Sequence, residues 1–336
     1  MGQRRKLRTL LRLFGDKVSI IRASVSLNRA ASHVHLAVLR ATSLSTSCSA
    51  PSDRRLSAVL RLGHGSSITT SACVAALMTR LHSTNDAIVA LKTLITVHAL
   101  ISRSSSSNIL DHQLSFSATG AWNPLNLSSF RDDSDAETWE LSSCVRWYAE
   151  YLEQILITNR ALGYLPISPS PASGKVSALL NSDLIREING LATLLELISN
   201  SPASVHLQRN NLIYEVVRLV CEDYGAVRGD TFHRVVELGD RLEGLTSSEL
   251  TEVLAQLDRV EGCKEKLLKL FGNRKNRDGL WDAVAHMRIK ISAMKERMEG
   301  WKLVRKKNWN SAGGRAVAVR LVDSAAPLAI STVGSF

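Results

Sequence analysis

Cysteine is scarce and scattered in this chain. Its five residues, Cys48, Cys73, Cys144, Cys221 and Cys263, are never closer than 25 positions and form no CxxC pair. An odd number at such spacing builds neither a disulfide framework nor a zinc knuckle, and it is the usage of reduced, isolated thiols in the cytosol. Long apolar runs are missing as well. No stretch of about 18 residues is uncharged and apolar throughout, so no transmembrane helix is expected. Leu10–Phe14 is too short and too interrupted by arginine for the core of a secretory signal.

Catalytic patterns are equally thin. Gly63-His64-Gly65-Ser66-Ser67 lacks the GxxxxGK[ST] spacing that would cradle phosphates and reads as a turn between helices. Ser104–Ser107 lacks a GxSxG frame, and the nine histidines contain no HExxH. His33 and His35, two apart, point to different faces of a helix rather than at one metal. The acidic group Asp132, Asp133, Asp135, Glu137 and Glu140 has no DxDxDG frame and reads as a turn or helix start. A non-enzymatic protein without metal or cofactor is expected.

Positive charge is what the sequence does have. The net +11 resolves by position into +9 for residues 1–55, −3 for residues 56–300 and +5 for residues 301–336. A basic coat for nucleic acid is not expected from a slightly acidic body, and the basic groups have no neighbouring aromatic platforms. A localised contact with an anionic partner is favoured instead.

Apolar residues recur at three- and four-residue spacing, while the alternation of strands is nearly absent, so the chain reads as all-α. Ala87–Ile101 (AIVALKTLITVHALI) is apolar on almost every face and predicts a helix enclosed by neighbours. Val145–Ile157 carries Trp147, Tyr148 and Tyr151 in a stripe that reads as core packing. PISPSPASG, residues 166–174, admits no helix and is the expected connector. Beyond it, helices are predicted over Leu179–Leu197, Leu212–Tyr224, Phe232–Leu242, Ser248–Leu270 and Leu280–Trp301, with a tail from 308 to 336 expected to be poorly ordered. Ser248, with Thr251 and Glu252, reads as the start of the fourth of these.

Leu7, Leu10, Leu11 and Phe14 share one helical face, and Arg4, Arg5, Lys6, Arg8 and Arg12 fill the rest of the arc. That layout suits a helix lying in a membrane interface, its cations at headgroup level. Two other readings stay open: a helix capping the protein's own core, and an Arg- and Ser-rich organelle transit peptide. Met1-Gly2 is not a myristoylation start, because Lys6 stands where Ser or Thr is needed. Farther on, Arg40, Arg54 and Arg55 flank a break containing Pro51, and guanidinium forks of this kind match phosphate oxygens.

Leu39-Arg40-Ala41-Thr42-Ser43 followed by Pro51-Ser52-Asp53-Arg54-Arg55-Leu56 resembles the KAT…P-K-x-K-H-L signature of ANTH domains, found in clathrin-assembly proteins that bind phosphoinositides. The run from Ala90 to Ile101 is similar to the family's xLKxLxxxHxLL helix, and Val145–Leu152 to its hRxYaxYL helix. The three motifs occur in the family's order, and the plant clathrin-assembly subgroup looks most alike. The resemblance covers about residues 1 to 300. It implies a right-handed superhelical stack of helices of the ENTH/VHS type, residues 1–165, joined through 166–174 to a C-terminal helical bundle, residues 175–307.

The resemblance also implies docking on phosphatidylinositol 4,5-bisphosphate at clathrin-coated pits and vesicles and at the Golgi, with clathrin and adaptor or SNARE proteins as partners. Arg40 matches the first family lysine, Arg54 the later lysine and Arg55 the adjoining histidine. Ser52 replaces the intermediate lysine, and the gap between Arg40 and Ser52 is longer than the family's by two residues. Neither DPF nor NPF, the family's coat-binding peptides, occurs, and Asn123-Pro124-Leu125 reads as a turn. The alternative is a soluble helical scaffold whose lipid site has weakened. Lys92 and His98 read as packing residues with satisfied partners.

Overall fold

A computed structural model of the chain describes residues 17–20, 29–44, 49–103, 123–167, 176–202, 210–271 and 279–311, the last eleven of them by backbone alone. Among these, the longer helices are α1 (Arg29–Thr42), α2 (Asp53–Gly63), α3 (Ser67–Ser83), α4 (Ala87–Ser102), α5 (Ala136–Leu162), α6 (Asn181–Ser199), α7 (Asn211–Asp240), α8 (Ser247–Phe271) and α9 (Gly279–Ser311). A 3-10 turn, Leu242–Gly244, joins α7 to α8. No strand occurs among the described residues. Two compact units are present, Met1–Ile291 and Ser292–Phe336.

The first unit is built around α4. Asp86 starts this helix by accepting from the backbone N–H of Ile88 at 2.9 Å and of Val89 at 3.1 Å, which satisfies two of the donors a helix start leaves orphaned. From Val89 to Ile101 every side chain is buried, as an all-round apolar pattern requires. The neighbours that enclose it are α1, α2, α3, α5 and α7. In the second half α6 takes the same role, packed between α5, α7 and α8. Helices α1, α2, α3, α5 and α7 thus pack on α4, and α5, α7 and α8 on α6.

Between α2 and α3 the glycine-rich segment is the turn the sequence suggested, with Ser66 capping Thr69 N at 3.3 Å. Gly63 is needed there for close approach, because a Cβ on it would lie 2.1 Å from Leu100 Cδ1. The acidic group starts α5: Asp135 and Thr138 form a reciprocal capping box, and Asp132 Oδ2 accepts from Ala87 N at 3.0 Å, tying this start to that of α4. Trp147, Tyr148 and Tyr151 are buried, and Trp147 Nε1 donates to the Leu197 carbonyl at 2.7 Å. Helix α5 ends on Gly163, whose φ of 74° lies in the left-handed region.

Three expected boundaries are different in the structure. Leu212–Tyr224 and Phe232–Leu242 are one continuous helix, α7. Gly225 and Gly229 each weaken a helix by about 1 kcal/mol, but Asp223, Val227, Asp230, Thr231 and Arg234 are buried around them, and tertiary packing outweighs propensity. Helix α8 is started by Thr246 rather than Ser248: Glu249 N donates to Thr246 Oγ1 at 3.3 Å, and Thr246 N donates to Glu249 Oε2 at 2.8 Å. Helix α9 extends to Ser311, past the point where the tail was expected to begin.

Candidate functional site

Arg40 lies in the last turn of α1, on the solvent stripe opposite buried Val34, Val38 and Leu39. The end of this helix is tied down from two directions. Thr42 Oγ1 donates to the Val38 carbonyl at 2.8 Å and accepts from Arg80 Nε at 3.3 Å. Lys92, buried in the middle of α4, donates from Nζ to the Ser43 carbonyl at 3.1 Å. Cations at a helix C-terminus answer both its orphan carbonyls and its dipole. Lys92 is therefore a satisfied packing residue, as its sequence context suggested, and it also anchors the segment that carries Arg40.

Arg54 and Arg55 open α2 and are exposed, as are Ser52 and Asp53 beside them. Ser52 takes the N-cap position in extended conformation, and its carbonyl accepts from Arg55 N and Leu56 N, both at 2.9 Å. Its side chain makes no capping bond. Helix α2 is held by buried Val59, Leu60 and Gly63 against α1, α3 and α4. The three arginines thus sit at the two helix ends joined by residues 43–52. Among the described residues no carboxylate pairs with any of them. Leu7, Leu10, Leu11, Phe14, Arg4, Arg5, Lys6, Arg8 and Arg12 lie outside the described residues.

A model of the ANTH domain family matches residues 33–279, from the first turns of α1 to the start of α9. The chain belongs to the ANTH domain family. Its fold is accordingly the family's all-α superhelical stack, and Arg40, Arg54 and Arg55 all lie within the matched span. Three relatives from Arabidopsis thaliana each bear the name clathrin assembly protein as an inferred role. One is 38% identical over 86% of this chain and 82% of its own length. A second is 30% identical over 80% and 81%, and a third 29% identical over 78% and 91%.

Sequence reasoning missed two buried polar groups within the ANTH fold. His98 Nδ1 lies 2.7 Å from the Tyr148 hydroxyl, and Tyr151 OH donates to Asp223 Oδ2 at 2.8 Å. His98 Nε2 is 2.9 Å from the same carboxylate oxygen, within ion-pair reach though off the line of a hydrogen bond. Burial, with Asp223 adding to it, pushes both tyrosine hydroxyls well above their ordinary range, so they remain donors at any physiological pH. These groups join α4, α5 and α7. The second group centres on Arg234, whose Nε donates to Glu187 Oε2 at 2.7 Å and whose Nη2 donates to Tyr164 OH at 3.0 Å. The only advance signal of either was a polar residue inside an apolar run, as at His98.

Electrostatically the arginine ends are open. Of the acidic group, Asp132 and Asp135 are committed to helix starts, and no cluster of His, Cys, Asp or Glu among the described residues is arranged to hold a metal. No helix among them is long and apolar enough to cross a membrane.

Proposed function

We propose that this ANTH domain protein binds phosphatidylinositol 4,5-bisphosphate on a membrane surface and acts as a peripheral adaptor in clathrin coat assembly and endocytosis. One observation carries the lipid reading: three exposed guanidinium groups, paired with no carboxylate among the described residues, at the ends of α1 and α2 joined by residues 43–52, beside an N-cap whose side chain makes no capping bond. Guanidinium forks suit the oxygens of the doubly and singly charged phosphate groups of an inositol phospholipid, and helix-start N–H groups add donors of the same polarity. The names of the relatives support the coat role, with clathrin as the first partner to test and adaptor or SNARE proteins after it. Leu7, Leu10, Leu11 and Phe14 would insert while Arg4, Arg5, Lys6, Arg8 and Arg12 meet the headgroups.

Cosedimentation with phosphatidylcholine vesicles, with and without phosphatidylinositol 4,5-bisphosphate, tests this. Converting Arg54 and Arg55 to Glu changes the local charge by four, worth about 4 kcal/mol at roughly 1 kcal/mol per charge at low salt and less as salt screens it. Bound protein is expected only with the phosphoinositide, and to collapse in the variant. Equal binding to neutral vesicles rejects the reading. The scaffold alternative draws on neutral, exposed Ser52 where the family has lysine; it would be supported by clathrin capture without any vesicle binding.

A further inference from the structure

Arg54-Arg55-Leu56-Ser57 places a hydroxyl three residues after one arginine and two after another, the spacing that basophilic protein kinases read through acidic subsites. We propose that Ser57 is a phosphorylation site whose modification releases α2 from anionic lipid. This rests on the lipid reading above for its consequence, though not for its chemistry. The kinase moves the γ-phosphoryl group of ATP to Ser57 Oγ: a new O–P bond forms, the bond to the ADP oxygen breaks, and the hydroxyl proton passes to the kinase's carboxylate base.

Three observations single out this serine. Ser57 is exposed, and among the described residues nothing holds its hydroxyl. Five other serines follow an arginine by three positions, Ser32, Ser43, Ser83, Ser106 and Ser134, but none has a second arginine two positions before it. Ser106 lies outside the described residues, and the hydroxyls of Ser43, Ser83 and Ser134 are already bonded, to Arg40 O at 3.3 Å, to Arg80 O at 3.2 Å and to Asp132 Oδ1. Finally, α2 is able to open where a kinase must bind. It has eleven residues, its buried anchors Val59, Leu60 and Gly63 all lie in the C-terminal half, and the side chain of its N-cap makes no bond. A start held by backbone bonds alone frays into the extended form a kinase cleft accepts at low cost.

Helical spacing fixes the consequence. Arg54, Ser57 and Arg61 recur at i, i+3 and i+7 on one face, all exposed. A phosphate on Ser57 would pair with both guanidinium groups, against the opposition of one carboxylate, Asp53, a turn earlier. Arg54 is then engaged within its own helix, and a group of nearly two negative charges faces the leaflet.

The 336-residue chain is incubated with a basophilic Ser/Thr kinase and ATP, phosphate is mapped by mass spectrometry, and the product is sedimented with phosphatidylcholine vesicles containing phosphatidylinositol 4,5-bisphosphate. Phosphate is expected on Ser57, with vesicle affinity falling about thirty-fold at low salt, the effect of some two opposing charges. Ser57→Ala, at an exposed helical position, should bind vesicles like the unmodified chain and lose its vesicle response to the kinase. Absence of phosphate at Ser57, or its presence without loss of binding, overturns the proposal and leaves the lipid reading standing. An unmodified chain that ignores these vesicles overturns the lipid reading, and the release with it, whatever the kinase does.

Discussion

Replacing Arg234 with methionine removes a guanidinium that is about 2% exposed and holds three groups at once: Glu187 Oε2 at 2.7 Å, the Asp230 carbonyl at 3.1 Å and Tyr164 OH at 3.0 Å. Methionine keeps most of the volume, so the loss is polar. It strands the Glu187 carboxylate, 4% exposed, without its counter-charge. Breaking a buried pair from one side costs about 3–5 kcal/mol, and in urea, with a slope near 3 kcal/mol per molar for a chain of this size, the midpoint drops by about 1–1.7 M. The pair is asymmetric. Burial raises Glu187 above its ordinary 4.5 despite the pull of Arg234. Arg234 loses some basicity to burial but gains more from Tyr164 and Glu187. The folded state thus holds the Glu187 proton more tightly than the unfolded chain, and from 4.5 up to its folded value stability falls as pH rises. Without Arg234 that window stretches upward, so the deficit of the variant should be largest near neutral pH and shrink on acidification. Urea unfolding followed by circular dichroism between about pH 8 and pH 5 measures it. A double change, Arg234→Met with Glu187→Leu, should recover part of the loss, because Glu187 no longer leaves a stranded charge, while Asp230, about 1% exposed and 3.8 Å from Arg234 Nη1, still loses its counter-charge. A deficit under about 1 kcal/mol, or one that ignores pH, would refute the reasoning.

Gly63→Ala should destabilise the fold by about 1–3 kcal/mol, since its Cβ falls 2.1 Å from Leu100 Cδ1 in a fully buried site, and thermal unfolding would report it. Gly225→Ala, where a Cβ meets nothing within 4 Å, should stabilise α7 by up to about 1 kcal/mol in the same assay. Burial pushes the Cys73 and Cys144 thiols up to about 11. At pH 8 only on the order of one in a thousand of each is thiolate, so alkylation mapped by mass spectrometry should spare both in the native protein and reach both in urea.

What the sequence disclosed depended on the range of the interaction. Helix α4 was legible because an all-round apolar run has one meaning, and the aromatic stripe of α5 because its spacing matches a buried face. The single helix α7 was hidden: Gly225 and Gly229 are local breaking signals, and the groups that override them, such as Glu187 on α6 opposite Arg234, are distant in sequence. The start of α8 was misread by two residues because Thr246, Ser247 and Ser248 all offer a capping hydroxyl, and only Glu249 reaching back to Thr246 decides among them. At the arginine ends, the family signature supplied the residues. It gave no sign that Arg80 and Lys92, from α3 and α4, would hold the turn after Arg40.

Those two anchors bear on both departures from the family signature. Residues 43–52 could span roughly 33–36 Å when extended, so the connection does not by its length determine where Arg54 stands relative to Arg40. Packing does: α2 is held through Val59, Leu60 and Gly63, and the end of α1 through Thr42 and Ser43. A connection longer by two residues can be taken up between fixed helix ends without moving either arginine. Replacement of the intermediate lysine by Ser52 acts differently. It removes one positive charge at an exposed N-cap and leaves the backbone bonds of that cap intact, so it lowers attraction to an anionic surface by about 1 kcal/mol and leaves the frame unchanged. On the lipid reading proposed above, a weaker site on an unaltered frame is also one in which a single added phosphate carries more weight, since fewer cations remain for it to offset.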